Sequence, residues 1–242
     1  MGPQPISEPA PQRLGLVVAL AVEAKALGLH AARTGVVQDY GAGHLAVLSG
    51  MGSEAAIQAG RMLLAAGADV LLSVGTAGAL HADLQAGDLC IPEQILWQEG
   101  AYPVDVAWAS GFSARYPQAR RGNLLSVDRV LVDPQTKALH AQAALAVDME
   151  SGALAALAVA QGRPFFALRV IVDSADSGLP DAVRYGVDAL GRPRLPAFLW
   201  QLLARPQDLP QLIKLGRQMQ KAEATLRHLR SELERGGSPC EH

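Results

Sequence analysis

The stretch Ala146-Val147-Asp148-Met149-Glu150-Ser151, taken together with Arg169-Val170-Ile171-Val172-Asp173-Ser174-Ala175-Asp176, decides how the chain is read. The first ends an apolar run, Ala143 to Val147, and opens an alanine-rich helix, Met149 to Gln161, that stops before Gly162 and Pro164. The second closes another apolar run that begins at Phe165. Short apolar runs of this kind suit strands buried on both faces. Two strands therefore deliver Asp148, Glu150, Asp173 and Asp176 to one edge of a sheet. In an open α/β sheet the carboxyl edge is where ligands bind, and the remaining chain is expected to be scaffold and walls for it.

Working upstream, Leu14 to Leu20 reads as a buried strand, followed by a short helix from Ala21 to Leu29 with Glu23 in its first turn. The helix dipole favours a carboxylate there, so a plain dipole partner is the simplest role for Glu23. His44 to Leu48 is a second strand. Ser49-Gly50-Met51-Gly52-Ser53 then turns into a helix ending at Gly67, with Ser53 as N-cap. The glycines let backbone approach a ligand, and the helix N-terminus can hold polar or anionic groups; an ordinary tight turn is the alternative. Asp69 to Val74 is the third strand. It ends in Gly75-Thr76-Ala77-Gly78-Ala79, where two glycines flank a hydroxyl and suggest donors aimed into a cleft.

Leu84 to Trp97 holds an apolar strand but not the long helix of a plain Rossmann repeat, so the sheet is expected to be mixed and strongly curved. Residues 98–121 carry Gly, Pro and aromatics with little periodicity and read as a long surface loop, a lid or subunit contact. Leu124 to Leu131 is a further strand and Pro134 to Ala141 a short helix. Ser177 to Arg194 is another loop region.

Near the C-terminus Leu212, Leu215, Met219, Ala222, Leu226, Leu229 and Leu233 recur at spacings of three and four, a heptad seam flanked by Lys214, Arg217, Lys221, Arg227 and Arg230. Packing on its own domain is the first reading. Self-association into a homo-oligomer is the second. Peripheral contact with the inner membrane surface is the third, diluted by Glu223, Glu232 and Glu234.

At 242 residues and half hydrophobic, the chain can bury a full α/β core. The division expected is a leader at 1–13, one α/β domain at 14–204, the C-terminal helix at 205–235 and a tail at 236–242. Residues 1–13 lack a basic and an apolar signal region and read as disordered, and no apolar run reaches membrane-spanning length. A formal charge of -2 offers no attraction to nucleic acid. Two cysteines, Cys90 and Cys240, make no disulfide framework and fit a reducing cytoplasm.

No Cys/His cluster has metal-ligand spacing, and neither a Gly-x-Ser-x-Gly elbow nor a Walker loop occurs. What remains is carboxylates at strand ends with one arginine and one threonine. That set suits general acid/base cleavage of an activated carbon–heteroatom bond without metal, cofactor or covalent intermediate.

Val18-Ala19-Leu20 through Glu23, Ser49-Gly50-Met51-Gly52, Val74-Gly75-Thr76-Ala77-Gly78, Val147-Asp148-Met149-Glu150-Ser151 and Arg169 through Asp176 occur in this order. Together they resemble the purine nucleoside phosphorylase and methylthioadenosine/adenosylhomocysteine nucleosidase superfamily. Within it, the Val-Asp-Met-Glu-Ser block, the compact middle and the Arg-Pro-x-x-Leu-Pro-x-Leu stretch from Arg205 to Leu212 resemble the hopanoid-associated phosphorylases, thought to remove adenine from adenosylhopane. The resemblance implies a three-layer fold with a central mixed sheet flanked by helices, and a small-molecule nucleoside, lipid-linked in the hopanoid case, as substrate.

It also implies roles. Asp173 resembles the general acid that protonates adenine N7. Glu150 resembles the carboxylate holding the ribose hydroxyls, with Met149 on the sugar face. Glu23 resembles the base that orients the attacking water, with Thr76 and Arg169 around that nucleophile. Gly78 stands at the cleft edge and Met51 near the 5′ substituent. A structural salt bridge of Arg169 with Glu150 or Glu23, and plain core packing for Met149, are the rival readings. Bacterial phosphorylases of the superfamily carry Gly-Asp-Pro-x-Arg in the first strand-to-helix turn, where this chain has Leu20-Ala21-Val22-Glu23-Ala24. That favours water over phosphate, which would otherwise be the co-substrate. The aromatic on which the nucleosidases stack adenine is Val130 here, in Ser126-Val127-Asp128-Arg129-Val130-Leu131, which counts against methylthioadenosine. The loop 98–121 and Leu179 to Tyr185 are expected to form an apolar 5′ pocket. Rival functions are a methylthioadenosine/adenosylhomocysteine nucleosidase, a phosphate-dependent nucleoside phosphorylase, and a non-catalytic nucleoside-binding scaffold.

Overall fold

The computed structural model describes residues 12–131, 133–175 and 209–235. Asp176, the loop 177–194 with Leu179 to Tyr185, and residues 205–208 of the Arg-Pro stretch lie outside the described residues, as do residues 1–11 of the leader and the tail.

Nine strands form one mixed sheet, in agreement with the expected fold class. In chain order they are β1 (Leu14–Val18), β2 (Gln38–Tyr40), β3 (His44–Leu48), β4 (Val70–Ala79), β5 (Leu89–Trp97), β6 (Gly100–Pro103), β7 (Arg120–Ser126), β8 (Ala146–Asp148) and β9 (Phe165–Asp173). The helices are α1 (Ala21–Ala26), α2 (Ser53–Ala65), α3 (Val106–Arg115), α4 (Pro134–His140), α5 (Ser151–Ala160) and α6 (Leu209–Glu234). β1 runs parallel to β3 and β4, and β9 runs parallel to β4; the residues of β1, β3 and β9 are almost wholly buried, as runs such as LGLVV and FFALRVIVD require.

The curvature has a definite form. β4 pairs with β8 and β9, β8 with β7, β7 with β5, and β5 with β9, so these five strands close on themselves. β4 makes this possible by its length. Its first half pairs with β1, while Gly78 and Ala79 pair with β8. A register shift after Ala77 sets Gly78 opposite Asp173. Bulges of this kind bend a strand and re-aim its side chains.

α5 is apolar on nearly every face, and its small residues let it lie close to its neighbours. A side chain at Gly152 would strike Trp97, and one at Gly60 of α2 would strike Leu154 and Leu157. The C-terminal half of the terminal seam packs on its own domain. Ala222, Leu226, Leu229 and Leu233 are fully buried against the domain, while Leu212, Leu215 and Met219 are only half-buried. Close approach is secured at turns: Arg230 fills the space beside Gly28, Glu234 the space beside Gly41, and Thr225 Oγ1 donates to Gly87 O at 2.8 Å.

Three expectations fail. Residues 98–121 are not a loop. They form β6, α3 and the start of β7, and α3 stacks Trp108 on Phe166 with ring centroids 5.2 Å apart. Trp108 and Phe112, both buried, lie four residues apart on one helical face, a signal that glycines and prolines on either side obscured. Ser53 is not the cap of α2. Gly52, at φ 97°, holds that position, and the Ser53 hydroxyl donates instead to Asp128 at 2.7 Å. The strand expected at Leu124 to Leu131 is β7, which ends at Ser126.

Candidate active site

Glu23, Met51, Thr76, Gly78, Val130, Met149, Glu150 and Asp173 line one cavity of about 140 Å³, together with Ala19, Leu20, Val127, Leu131, Lys137, Asp148 and Val172. The cavity opens at the ends of β4, β8 and β9 and the start of α1, as the strand-end argument requires. No residue of 98–121 is on its wall, so that segment supplies no part of the pocket among the described residues.

Glu23 is buried at the third position of α1. Its Oε2 accepts from the Leu20 N–H at 2.9 Å, closing the first turn as a capping carboxylate does. Its Oε1 accepts from both the Thr76 N–H and the Thr76 hydroxyl, each at 2.7 Å. Local helix chemistry and the end of β4 thus fix one carboxylate from two sides. Gly75 makes room for this: a Cβ there would sit 2.9 Å from the Glu23 oxygens and 2.7 Å from Arg169 Nη1.

Arg169 does not reach the cavity wall. It is buried behind it, where Nη2 contacts Asp148 Oδ2 at 2.6 Å, Ser73 Oγ at 2.5 Å, Ser151 Oγ at 3.1 Å and Glu150 Oε2 at 3.9 Å. The salt-bridge reading therefore describes its position, with Asp148 as the main partner. A buried guanidinium is tolerable only when paired in this way. Asp148 also accepts from the Ser151 N–H at 3.2 Å, at the head of α5. Its other oxygen, Oδ1, is buried and has no hydrogen-bond partner among the described residues. The sequence reading placed Asp148 at the right edge but missed its place on the cavity wall.

Glu150 closes the loop between two helices. Its Oε1 accepts from the Gly52 N–H at 2.9 Å, so this carboxylate occupies the N-terminus of α2 that the turn 49–53 seemed to offer to a ligand. Burial, then the Asp148 charge, push its pKa up to about 7, against the pull of Arg169 and the Gly52 N–H.

At the far wall Asp173 ends β9 beside Gly78, where a Cβ would lie 3.0 Å from its Oδ1. Lys137 Nζ pairs with Asp173 Oδ2 and donates to Ser174 O at 3.2 Å. Burial raises the Asp173 pKa and the Lys137 charge lowers it, with burial the larger influence. Lys137 is the residue that sequence reasoning missed. It lies in a polar seven-residue helix, and nothing in PQTKALH marks one of its side chains for burial. Among the described residues no group of His, Cys, Asp and Glu is arranged to hold a metal ion.

The family model of the phosphorylase superfamily matches residues 9–203. The chain belongs to that superfamily. It is an enzyme of that superfamily. Solved structures share the fold across nearly their whole length. The 5′-methylthioadenosine/S-adenosylhomocysteine nucleosidase of Neisseria meningitidis, in complex with methylthio-immucillin-A, is 17% identical with a TM-score of 0.66, covering 92% of this chain and 99% of its own. A Helicobacter pylori nucleosidase mutant with 5′-methylthioadenosine in its active site is 17% identical with a TM-score of 0.63, covering 91% and 99%. The futalosine hydrolase of Helicobacter pylori is 19% identical with a TM-score of 0.63, covering 92% and 98%. At such identities the likeness concerns the fold. No curated protein matches the sequence.

Proposed function

We propose that the chain cleaves the N-glycosidic bond of an adenosine derivative by hydrolysis and that its substrate is adenosylhopane. The observation that carries this is the convergence of Glu23, Glu150 and Asp173, from three separate parts of the chain, on one cavity. Glycosidic cleavage develops positive charge on the ribose and negative charge on the base. A carboxylate near the sugar and an acid near the base stabilise the two ends of that transition state. Asp173 protonates the base at N7, its burial keeping a proton available. Glu150 accepts from the ribose hydroxyls and Met149 packs on the sugar face. Glu23, held by Thr76, orients the attacking water. Arg169 acts from behind by fixing Asp148 and steadying Glu150.

Water is favoured over phosphate on charge. Glu23, Asp148, Glu150 and Asp173 all line the cavity, and Glu150 already fills the α2 N-terminus. An incoming phosphate would meet carboxylates where a phosphorylase needs donors and cations.

The hopane assignment is supported by the resemblance of the Val-Asp-Met-Glu-Ser block and the Arg205 to Leu212 stretch to that group, and by the wall itself. Val127, Val130, Leu131 and Val172 are aliphatic where an aromatic would grip adenine. The start of α6 exposes Leu209 and Ile213 beside Lys214 and Arg217, which suits a brief contact with a membrane surface that carries the substrate. Among the described residues no helix is long and apolar enough to cross a membrane.

The experiment is incubation of purified protein with adenosylhopane, methylthioadenosine and inosine, with and without phosphate, and measurement of free base. Adenine release from adenosylhopane, indifferent to phosphate and faster than from the other two, is the expected result. Base release that requires phosphate would overturn hydrolysis. Ligand binding without base release would favour the non-catalytic scaffold.

A further inference from the structure

A lysine whose side chain is only 1% exposed is rare in a protein core, because the ammonium group must give up its water. Lys137 has this position on α4, which is anchored for it. Asp133 caps the helix by accepting from the Thr136 N–H at 2.8 Å, and Pro134 opens it. The ammonium is brought to Asp173 at the end of β9 and to the Ser174 carbonyl, and the side chain reaches the cavity wall. Stability does not explain the arrangement. Replacing a buried ion pair by apolar groups of similar volume is often neutral or favourable, and the neighbours on this wall, Val127, Val130 and Leu131, are apolar already.

We propose that Lys137 holds the proton that Asp173 passes to the departing base, so that the two side chains act as one acid. The inference rests on the reading of Asp173 as proton donor given above. Before reaction the pair holds one transferable proton between an ammonium and a carboxylate. As the C1′–N9 bond breaks, its electron pair moves into the purine. The proton held by Lys137 Nζ passes to Asp173 Oδ2 while Asp173 delivers one to N7, so the pair ends as a neutral amine and a carboxylate. Water oxygen bonds to C1′ and gives its proton to Glu23. The neutral amine regains a proton from solvent after the base leaves, and Glu23 loses one, so the cycle closes. The logic of a paired acid is that Asp173 alone must be both protonated at rest and acidic in the transition state. A cation at its side makes the carboxyl the stronger acid while keeping a proton within reach. Among the described residues the other charged groups on the cavity are Glu23 from α1, Asp148 from β8 and Glu150 at the head of α5; Asp133 and His140 belong to α4 itself.

Lys137 acts through Asp173 and is a positioning residue, so its test must separate proton supply from packing. The two substrates compared are adenosylhopane, whose base needs a proton, and 4-nitrophenyl β-D-ribofuranoside, whose phenolate leaves without one. Lys137→Met and Asp173→Asn are each expected to lower the ratio of the first rate to the second by about 10²-fold. Lys137→Arg restores a cation that releases no proton near neutrality and should leave the ratio low. A wild-type ratio in Lys137→Met beside a depressed one in Asp173→Asn would remove Lys137 from the chemistry and leave Asp173 in place. Equal losses on both substrates in Lys137→Met, or a wild-type ratio in Lys137→Arg, would make the lysine a structural or purely electrostatic group and overturn the inference. An unchanged ratio in Asp173→Asn would overturn the underlying reading itself.

Discussion

The two ends of the cavity are built differently. The end that holds Glu23, Thr76, Asp148 and Glu150 is assembled from strand termini and helix first turns, and nearly every polar atom there has a partner fixed by backbone. The opposite wall is made by the segment Val127 to Leu131 and by α4, with one ion pair between Lys137 and Asp173 and otherwise aliphatic side chains. The first end is a rigid charge device. The second combines a buried ion pair with an aliphatic surface. In the proposed reaction each wall carries charged groups, Glu23 and Glu150 on the first and Asp173 on the second, and the aliphatic side chains of the second are the part free to vary with substrate.

The largest effects should appear where the rigid end is broken. Glu23→Gln loses the charge and keeps one of the two acceptor oxygens, leaving the Leu20 N–H or the Thr76 donors facing an amide NH2; adenine release should fall by about 10²–10⁴-fold, with a loss of about 1–3 kcal/mol in stability. A loss under threefold would remove Glu23 from the reaction. Arg169→Met leaves Asp148 buried without its cation. Unfolding in urea should show a loss of about 3–5 kcal/mol, and a stability near wild type would mean that the Asp148 pair is not what holds this end.

Gly75→Ala places a methyl group between Arg169 and Glu23, both fixed, and should cost about 1–3 kcal/mol. Gly78→Ala meets Asp173 at 3.0 Å on the softer side and should cost less. The two midpoints, measured side by side, compare the rigidity of the two ends directly, and the reverse order would invert the comparison.

Glu150 supplies a pH test. Its folded pKa of about 7 lies above the ordinary 4.5, so the native state holds the proton more tightly than the unfolded chain. The stability this group contributes is fully present below 4.5 and is lost as pH rises through about 7. Ribose binding needs the ionised form, so KM should fall over the same rise. Glu150→Gln should flatten both trends, and a KM indifferent to pH between 6 and 8 would detach Glu150 from the sugar.

The smallest effect belongs to the adjustable wall. Val130→Phe restores an aromatic surface at a half-exposed position, and should improve binding of methylthioadenosine by about 0.5–1.5 kcal/mol, leaving kcat nearly unchanged. A large change in kcat would mean that Val130 does more than shape the surface offered to the base.

Legibility followed the same division. Glu23 could be placed because a carboxylate in a first helical turn after a buried strand has a local reason to be there. Gly75 and Gly78 could be singled out because glycines at a strand end mark close approach, although their purpose, clearance for Glu23 and Asp173, is visible only in three dimensions. Ser53 was assigned as a cap by a sound local rule that lost to Glu150, a residue far along the chain that takes the Gly52 N–H. The helix α3 went unread because its burial depends on Phe166 of β9.

By itself the sequence determined the order of buried strands, the acids at their ends and the mixed character of the sheet. These follow from short-range periodicity and from where the backbone must stop or turn. Only the tertiary structure decided that Arg169 stands behind the wall with Asp148, that β4, β5, β7, β8 and β9 close into a ring, and that Lys137 is buried on Asp173. The physical reason is that pairing energies between distant charges depend on separation in space and on the loss of water. Neither quantity is written in local residue order.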